Sequence, residues 1–200
     1  MALPILSPMT AADVDDFMAI ERASFHQPWS RHMYLMDLKT NLMATYLVLR
    51  PAPEDRAYLP PILAYGGLWL MVDEAHIATI ASHPQWRGCG LGHRLLLGLL
   101  DAAIERGADR STLEVRVSNV TARALYSQLG YLVAGTRRRY YQDGEDALIM
   151  TTPSLLSPAM RGLLTEQHRA AEARLARCFA AGGAAPAGDG KALGGRLPEN

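Results

Sequence analysis

The chain has 200 residues, with 20 acidic and 20 basic side chains and a pI near 7.0. This length suits one domain with its own hydrophobic core, and the balanced charge argues against a dedicated nucleic-acid-binding protein. No apolar run reaches the roughly 20 residues that cross a bilayer, and the N-terminal residues lack the features of a signal peptide. We therefore expect a cytoplasmic protein with no membrane partner and no direct nucleic-acid partner.

The two cysteines, Cys89 and Cys178, are too few for a disulfide framework or a zinc site. We therefore expect reduced thiols and no bound metal. Cys89 could suggest acyl-cysteine chemistry, but such a thiol needs a neighbouring base, and the sequence places no His–Asp pair to activate it.

The first half of the chain predicts two helices and then three strands. Thr10 and Asp13 resemble a capping box for a helix that runs to about Phe25, and Ser30 begins a second helix over residues 31–40. The segments "ATYLVLR", "ILAYGGLWLMV" and "AHIATIAS" have the composition of strands, and the last two are joined as a hairpin.

The second half alternates helices with strands. Beyond residue 90, leucines recur every four residues and predict an amphipathic helix that ends at Gly107. "STLEVRV" alternates as a strand, a helix opens at Asn119 or Thr121, and "YLVAGTRRRYY" and "DALIMT" predict two further strands. Helices between strands, with hairpins near both ends, indicate a three-layer α/β domain with a mixed sheet.

Three glycines crowd into "QWRGCGLGHRLL", between a predicted strand and a predicted helix. Glycines let a phosphate approach the unpaired N–H groups at a helix N-terminus. A Walker loop would need Gly-Lys-Ser/Thr, and a dinucleotide fingerprint would need glycine where His93 stands. The spacing is instead Arg87-x-x-Gly90-x-Gly92, and from the loop alone a phosphate cradle and a plain tight turn are equally open.

This spacing resembles the acetyl-CoA-binding motif of the GNAT superfamily of N-acetyltransferases, Gln/Arg-x-x-Gly-x-Gly/Ala. The segments "ERASFHQPWS", "LEVRVSNVTARALYSQLGY" and "RRRYYQDGEDALIM" resemble, in the same order, the bacterial ribosomal-protein alanine N-acetyltransferases of the RimI type. The resemblance covers residues 4–152. It implies the GNAT fold, an α/β fold of three layers whose mixed, largely antiparallel central sheet is splayed at the acetyl-CoA site, between its fourth and fifth strands.

The resemblance also implies which residues bind acetyl-CoA. In the family, the strand before the loop binds the acyl and pantetheine parts, the loop amides bind the pyrophosphate, and an asparagine contacts the cofactor. The matching positions here are Ile80, Ala81 and Ser82 in the strand, Arg87, Gly88, Cys89, Gly90, Leu91, Gly92 and His93 in the loop, and Asn119. Gly88 and Cys89 stand where family members often carry basic residues, so we expect a less positive phosphate site, with Arg87, His93 and Arg94 nearby, and weaker affinity for the cofactor.

Acetyl transfer to an amine needs a neutral amine, a stabilised oxyanion and a proton for the departing thiolate. Glu114 lies in the middle of an alternating strand and matches the family's general base. Without that match it would be interpreted as a solvated glutamate or as the partner of Arg116. Tyr126 matches the family's general acid, and its alternative is a tyrosine at the edge of the core.

The expected acceptor is an α-amino group. Its pKa of about 7.7–8.0 leaves far more neutral amine near pH 7 than a lysine with a pKa of about 10.4. The resemblance points to the N-terminal alanine of a small-subunit ribosomal protein, and Trp29, Tyr140 and Tyr141 resemble residues that line the peptide groove. The alternatives are acetylation of a polyamine or aminoglycoside, and a CoA-binding domain without activity.

The composition changes after residue 152. We divide the chain into an acetyltransferase domain over residues 1–152, a charged helical extension over 153–180 and a Gly/Ala/Pro-rich tail over 181–200 that we expect to be disordered. Because the extension offers only a narrow apolar face, we expect a chain that ends at Pro153 to keep its melting temperature and its rate on a short peptide.

Overall fold

The computed structural model describes residues 1–181 as an α/β fold built on a seven-stranded sheet. Residues 182–200, nearly all of the tail predicted as disordered, lie outside the described residues. The strands are β1 Ile5–Pro8, β2 Ala44–Arg50, β3 Ala64–Met71, β4 Glu74–Ser82, β5 Arg110–Arg116, β6 Leu132–Arg137 and β7 Ala147–Thr151. The helices are α1 Val14–Ser24, α2 Arg31–Thr40, α3 Leu91–Glu105, α4 Val120–Gln128 and α5 Pro158–Ala180, with short 3-10 turns between some of these elements.

The sheet has the order β1-β2-β3-β4-β5-β7-β6 and is antiparallel except where β4 meets β5. Those two strands pair over only three positions, from Glu74 opposite Arg110 to His76 opposite Thr112. Both strands continue beyond this point, so they diverge and leave a wedge-shaped opening. The predicted mixed, largely antiparallel sheet, splayed between its fourth and fifth strands, is confirmed.

Alternating residues of the central strands feed two separate cores. Along β2, Leu47 and Leu49 belong to the core that contains α3, whereas Tyr46 and Val48 belong to the core that contains α1 and α2. Successive side chains of a strand point to opposite faces, so each face of the sheet is covered by helices. The result is the predicted three-layer arrangement.

Helix starts follow the capping residues in the sequence. The Oγ of Ser30 accepts from the backbone N–H of Met33 at the start of α2, and the Oδ1 of Asn119 accepts from Ala122 at the start of α4. Strand β1 has no counterpart in the predicted elements, because its four residues are too short for a periodic pattern.

The C-terminal helix α5 forms at the predicted place, but it buries more of its side chains against the domain than predicted. It buries five side chains against the core that surrounds α3, namely Met160, Leu164, Ala171, Leu175 and Phe179. The ring of Phe179 stacks on Trp86 with 5.1 Å between ring centroids. This packing argues against the expectation that the extension is dispensable for folding, because the narrow apolar stripe meets a matching surface made by a distant part of the chain.

Cys89 and Cys178 form a disulfide, with 5.5 Å between their Cα atoms. The expectation of reduced thiols was therefore wrong. The two residues are 89 positions apart, and only the folding of α5 over the glycine loop brings them together. Because Cys89 is bonded to another sulfur, it offers no thiolate for acyl-enzyme chemistry.

Candidate active site

A pocket of about 290 Å³ lies between the end of β4, the glycine loop, α4 and α5. The residues that line it come from these four parts of the chain and are Ser82, Trp86, Arg87, Gly88, Gly90, Leu91, Gly92, His93, Thr121, Ala124, Leu125, Gln128 and Arg174. Seven of the residues predicted to bind the cofactor are among them, so the structure brings most of that set into one site.

The glycine loop opens directly onto this pocket. Gly88 and Gly90 have φ angles of +85° and +93°, a region that L side chains rarely adopt. Gly90 is the N-cap of α3, and the residues that follow it, Leu91, Gly92 and His93, line the pocket. The first N–H groups of a helix have no partner within the helix and carry partial positive charge. The loop is therefore suited to bind an anionic group.

Four of the predicted cofactor residues do not line the pocket. Ile80 and Ala81 are buried in β4, Cys89 is in the disulfide, and the side chain of Asn119 caps α4. The register between β3 and β4 jumps so that Ala78 has no partner on β3, which is a β-bulge just before these residues. Their contact with the cofactor stays a prediction.

The basic side chains that line the pocket differ from those expected from the sequence. Arg87 lines the pocket, but its guanidinium donates to the Oγ of Ser24 at 2.9 Å and to the carbonyl of Ser82 at 3.4 Å. Burial and the charge of nearby Arg174 lower the pKa of His93, so its imidazole is neutral at neutral pH. Arg174, which the sequence analysis did not single out, adds a further guanidinium from α5.

Glu114 is buried at the point where β5 has left β4, with 2% of its surface exposed. Its Oε2 lies 3.1 Å from the Nε2 of His76, and its Oε1 lies 3.3 Å from Nη2 of Arg137. Arg116 is not its partner, because that guanidinium pairs at 2.7 Å with both Asp143 and Glu145. A buried carboxylate beside an imidazole is a reasonable proton acceptor, and neither alternative for Glu114, solvated or paired with Arg116, fits this geometry.

His76 is a candidate functional residue that the sequence analysis missed. It is buried, and it occupies the last position at which β4 and β5 pair, opposite Thr112. Its Nε2 is at ion-pair distance from Glu114 without forming a hydrogen bond with any described residue. The strand pattern "EAHIATIAS" placed it among apolar residues, but only the pairing of β4 with β5 shows which carboxylate it faces.

Tyr126 is completely buried on the inner side of α4, with its ring 5.7 Å from that of Tyr131. Burial raises the pKa of Tyr126 well above its ordinary value, and Tyr131 and Tyr141 raise it further. The phenol is therefore protonated at neutral pH, as a proton donor must be. Its neighbour Leu125 lines the pocket.

The residues predicted to line the peptide groove separate into two groups. Tyr140 and Tyr141 lie in the turn between β6 and β7, and burial together with the charge of Glu114 raises the pKa of Tyr140. The guanidinium of Arg116 lies 3.8 Å from the ring centroid of Tyr141. The guanidinium of Arg137, which lies 3.3 Å from Glu114, is 5.5 Å from the ring centroid of Tyr140, so Tyr140 is linked to the candidate base through this arginine.

Trp29, in contrast, is a core residue with 4% of its surface exposed. Its backbone N–H donates to the Oε1 of Glu21 at 2.6 Å, and that buried carboxylate also accepts hydrogen bonds from the hydroxyl groups of Tyr34 and Tyr65. The structure therefore places Trp29 as an anchor for the segment between α1 and α2, and not in an open groove.

Within residues 1–181, no helix has both the length and the apolar character needed to cross a bilayer. The same residues contain no cluster of three or more histidine, cysteine or acidic side chains that could hold a metal ion.

Known proteins share this fold and this sequence pattern. A Bacillus subtilis protein is 40% identical over 143 residues, which is 71% of this chain and 90% of that protein. Its name assigns it, provisionally, as a ribosomal protein bS18-alanine N-acetyltransferase. The ribosomal protein bS18-alanine N-acetyltransferase of Salmonella typhimurium is 35% identical over 151 residues, 74% of this chain and 96% of its own length. The crystal structure of the ribosomal-protein-S18-alanine N-acetyltransferase from Escherichia coli superposes with a TM-score of 0.67 at 31% identity, covering 78% of this chain and 96% of that one.

The family match covers the central part of the chain. The model of the acetyltransferase (GNAT) family matches residues 14–131, from α1 to the end of the segment that follows α4. This stretch contains the splayed strands, the glycine loop, Glu114 and Tyr126. On these grounds the chain belongs to the GNAT family of acetyltransferases.

Proposed function

We propose that this enzyme transfers the acetyl group of acetyl-CoA to the N-terminal α-amino group of a protein, with the N-terminal alanine of a small-subunit ribosomal protein as the first candidate substrate. The observation that carries the proposal is the buried Glu114, at the opening between β4 and β5 and paired with His76 and Arg137. A base of this kind serves deprotonation of an amine. It has no use in a domain that only binds CoA.

The residues at the pocket fit acetyl-CoA. The loop N–H groups at Leu91, Gly92 and His93 suit its pyrophosphate, which a helix N-terminus favours. The edge of β4 beyond His76, which includes Ile80, Ala81 and Ser82, no longer pairs with β5 and is available to the amides of the pantetheine arm. The thioester would then lie near Glu114.

The reaction proceeds by direct attack, with both substrates bound together. Glu114 takes a proton from the ammonium or through water, and the neutral amine forms a bond to the thioester carbon. A backbone N–H of β4 stabilises the resulting oxyanion. When the carbon–sulfur bond breaks, Tyr126 gives its proton to the departing CoA sulfur. The second proton that the nitrogen loses as the amide forms returns to the Tyr126 phenolate through water, so the products are the amide and CoA thiol, with the first proton on Glu114.

An α-amine matches a single carboxylate base better than lysine does. Near pH 7 about a tenth of α-amines are neutral, but fewer than one lysine in a thousand is. The named relatives are alanine N-acetyltransferases, which favours the same class of acceptor. Tyr140 lies beside Arg137, which pairs with Glu114, and we expect Tyr140 and Tyr141 to contact the first residues of a peptide.

The experiment that tests this proposal compares acceptors with purified enzyme and acetyl-CoA. The three acceptors are a peptide with a free N-terminal alanine, the same peptide with a blocked N-terminus and one internal lysine, and spermidine. We expect acetylation of the free peptide alone, located by mass spectrometry. Turnover on spermidine but not on the peptide would favour a small-amine acetyltransferase, and binding of acetyl-CoA without turnover on any acceptor would refute catalysis.

A further inference from the structure

The C-terminal helix α5 places a guanidinium over the glycine loop. The side chain of Arg174 crosses Gly90 so closely that a Cβ at Gly90 would lie 3.0 Å from its Cδ and 3.2 Å from its Cγ. Its Nε and Nη2 donate to the carbonyl oxygen of Gly88 at 3.2 and 2.8 Å. Arg174 is also one of the residues that line the pocket.

Arg174 does not compete with a ligand for the loop. It is bonded to a carbonyl, whereas an anion uses the N–H groups of Leu91, Gly92 and His93. A guanidinium has five N–H donors, of which Gly88 takes two. Arg174 therefore adds positive charge and donors to the pocket without occupying the amides.

Other side chains at the pocket contribute little free positive charge. His93 is neutral because its pKa is lowered, and Arg87 is held by Ser24 and by the carbonyl of Ser82. The loop itself contributes Gly88 and the disulfide-bonded Cys89, neither of which is basic. Arg87 and Arg174 both line the pocket and each keeps donors beyond these contacts, but among the described residues it is Arg174 whose side chain lies over Gly90 of the loop.

The position of Arg174 is fixed from both sides. The next residue, Leu175, is buried in the core, and Cys178, one helical turn further on, is bonded to Cys89 of the loop. A side chain four residues away lies on the same face of a helix. The disulfide therefore ties the face that carries Arg174 to the loop that it covers.

We propose that Arg174 binds a phosphate of acetyl-CoA and replaces the basic loop residues that this chain lacks. The proposal rests on the proposed function, since it needs acetyl-CoA in the pocket. It goes beyond the family match, which ends at residue 131, because the residue belongs to α5 at Pro158–Ala180. The acetyl-CoA site of this enzyme is then completed by a helix outside the family's common region.

The test is the affinity for acetyl-CoA, measured by calorimetry on the full chain. Arg174→Gln should weaken binding about tenfold, as expected for the loss of one charge-assisted contact. Arg174→Lys should recover most of the affinity because it restores the charge. Arg169→Gln removes a charge from the same helix at a site that does not line the pocket, and should leave the affinity within about twofold.

The salt dependence of the affinity for acetyl-CoA distinguishes binding of a phosphate by Arg174 from a purely structural role. The difference between the wild type and Arg174→Gln should shrink as salt is raised, because screening weakens exposed charges. Unchanged affinity in Arg174→Gln, equal losses in Arg174→Gln and Arg174→Lys, or a loss that salt does not alter would each overturn the inference. In those cases the wild type still binds and transfers acetyl. If the wild type itself does not bind acetyl-CoA, the proposed function fails and this inference fails with it.

Discussion

Phe179 packs α5 against Trp86, just before the glycine loop, so its removal tests whether the C-terminal helix belongs to the fold. The ring is 1% exposed and stacks on Trp86, with an angle of 20° between the ring planes. Trp86 is followed directly by the loop. Phe179→Ala would leave a cavity against the Trp86 ring.

The expected cost follows from the burial. Replacing a buried phenylalanine by alanine costs about 3–5 kcal/mol, and the lower end applies here because Phe179 is one residue from the end of α5, where the chain can relax. A loss of about 3 kcal/mol in a protein of this size corresponds to a fall of about 6–12 °C in melting temperature. Because α5 carries Arg174, the KM for acetyl-CoA should rise as well.

The assay is thermal unfolding followed by circular dichroism, on the full chain under oxidising conditions. Leu156→Ala is the matched control, since that side chain is 43% exposed, and it should change the melting temperature very little. A chain ending at Pro153 should lose more than the point variant. If Phe179→Ala and the shortened chain both melt within 2 °C of the wild type, α5 contributes nothing to stability and the reasoning from burial is wrong.

The remaining predictions concern the chemistry and the loop. Glu114→Gln should lower kcat by about 10²–10⁴-fold, with a smaller effect at high pH, where the amine is already neutral. A pH profile parallel to that of the wild type would contradict the role of Glu114 as the base. Tyr126→Phe should slow release of CoA by a similar factor and leave the Kd for acetyl-CoA unchanged, and a normal rate would return the residue to a packing role. Gly92→Val should abolish tight binding of acetyl-CoA, measured by calorimetry, in a protein that is still folded, because its methyl groups fill the wall of the pocket. Cys178→Ser should lower the unfolding free energy by about 2–4 kcal/mol, and a reductant should do the same to the wild type; a wild type that is indifferent to reductant would contradict a bridge in solution.

The sequence predicted the elements well where local chemistry decides them. Ser30 starts its helix as predicted, and of the two residues considered for the start of α4, Asn119 and Thr121, the cap is Asn119. The alternation in β5 separates Glu114 from its apolar neighbours. Positive φ at Gly88 and Gly90 agrees with the turn expected from the glycine spacing.

Features that depend on distant parts of the chain were not predictable in this way. Cys178 is 89 residues from Cys89, and no local pattern says that α5 folds over the loop. His76 and Glu114 are brought together only by the short parallel pairing of their strands. Trp29 was interpreted by resemblance as a groove residue, but its surroundings are set by Glu21, whose contacts span three separate segments.

The early separation of β4 and β5 has a consequence for solution behaviour. From Ile77 to Ser82, one side of β4 has no strand partner within residues 1–181, so the sheet contains an internal unpaired border. Such a border can accept an extended backbone from another molecule, which is a route to aggregation. A ligand lying along it would act as a short additional strand, and amide hydrogen exchange in β4 should slow when acetyl-CoA binds. Occupancy of the site would then protect the protein against self-association on warming as well as against unfolding.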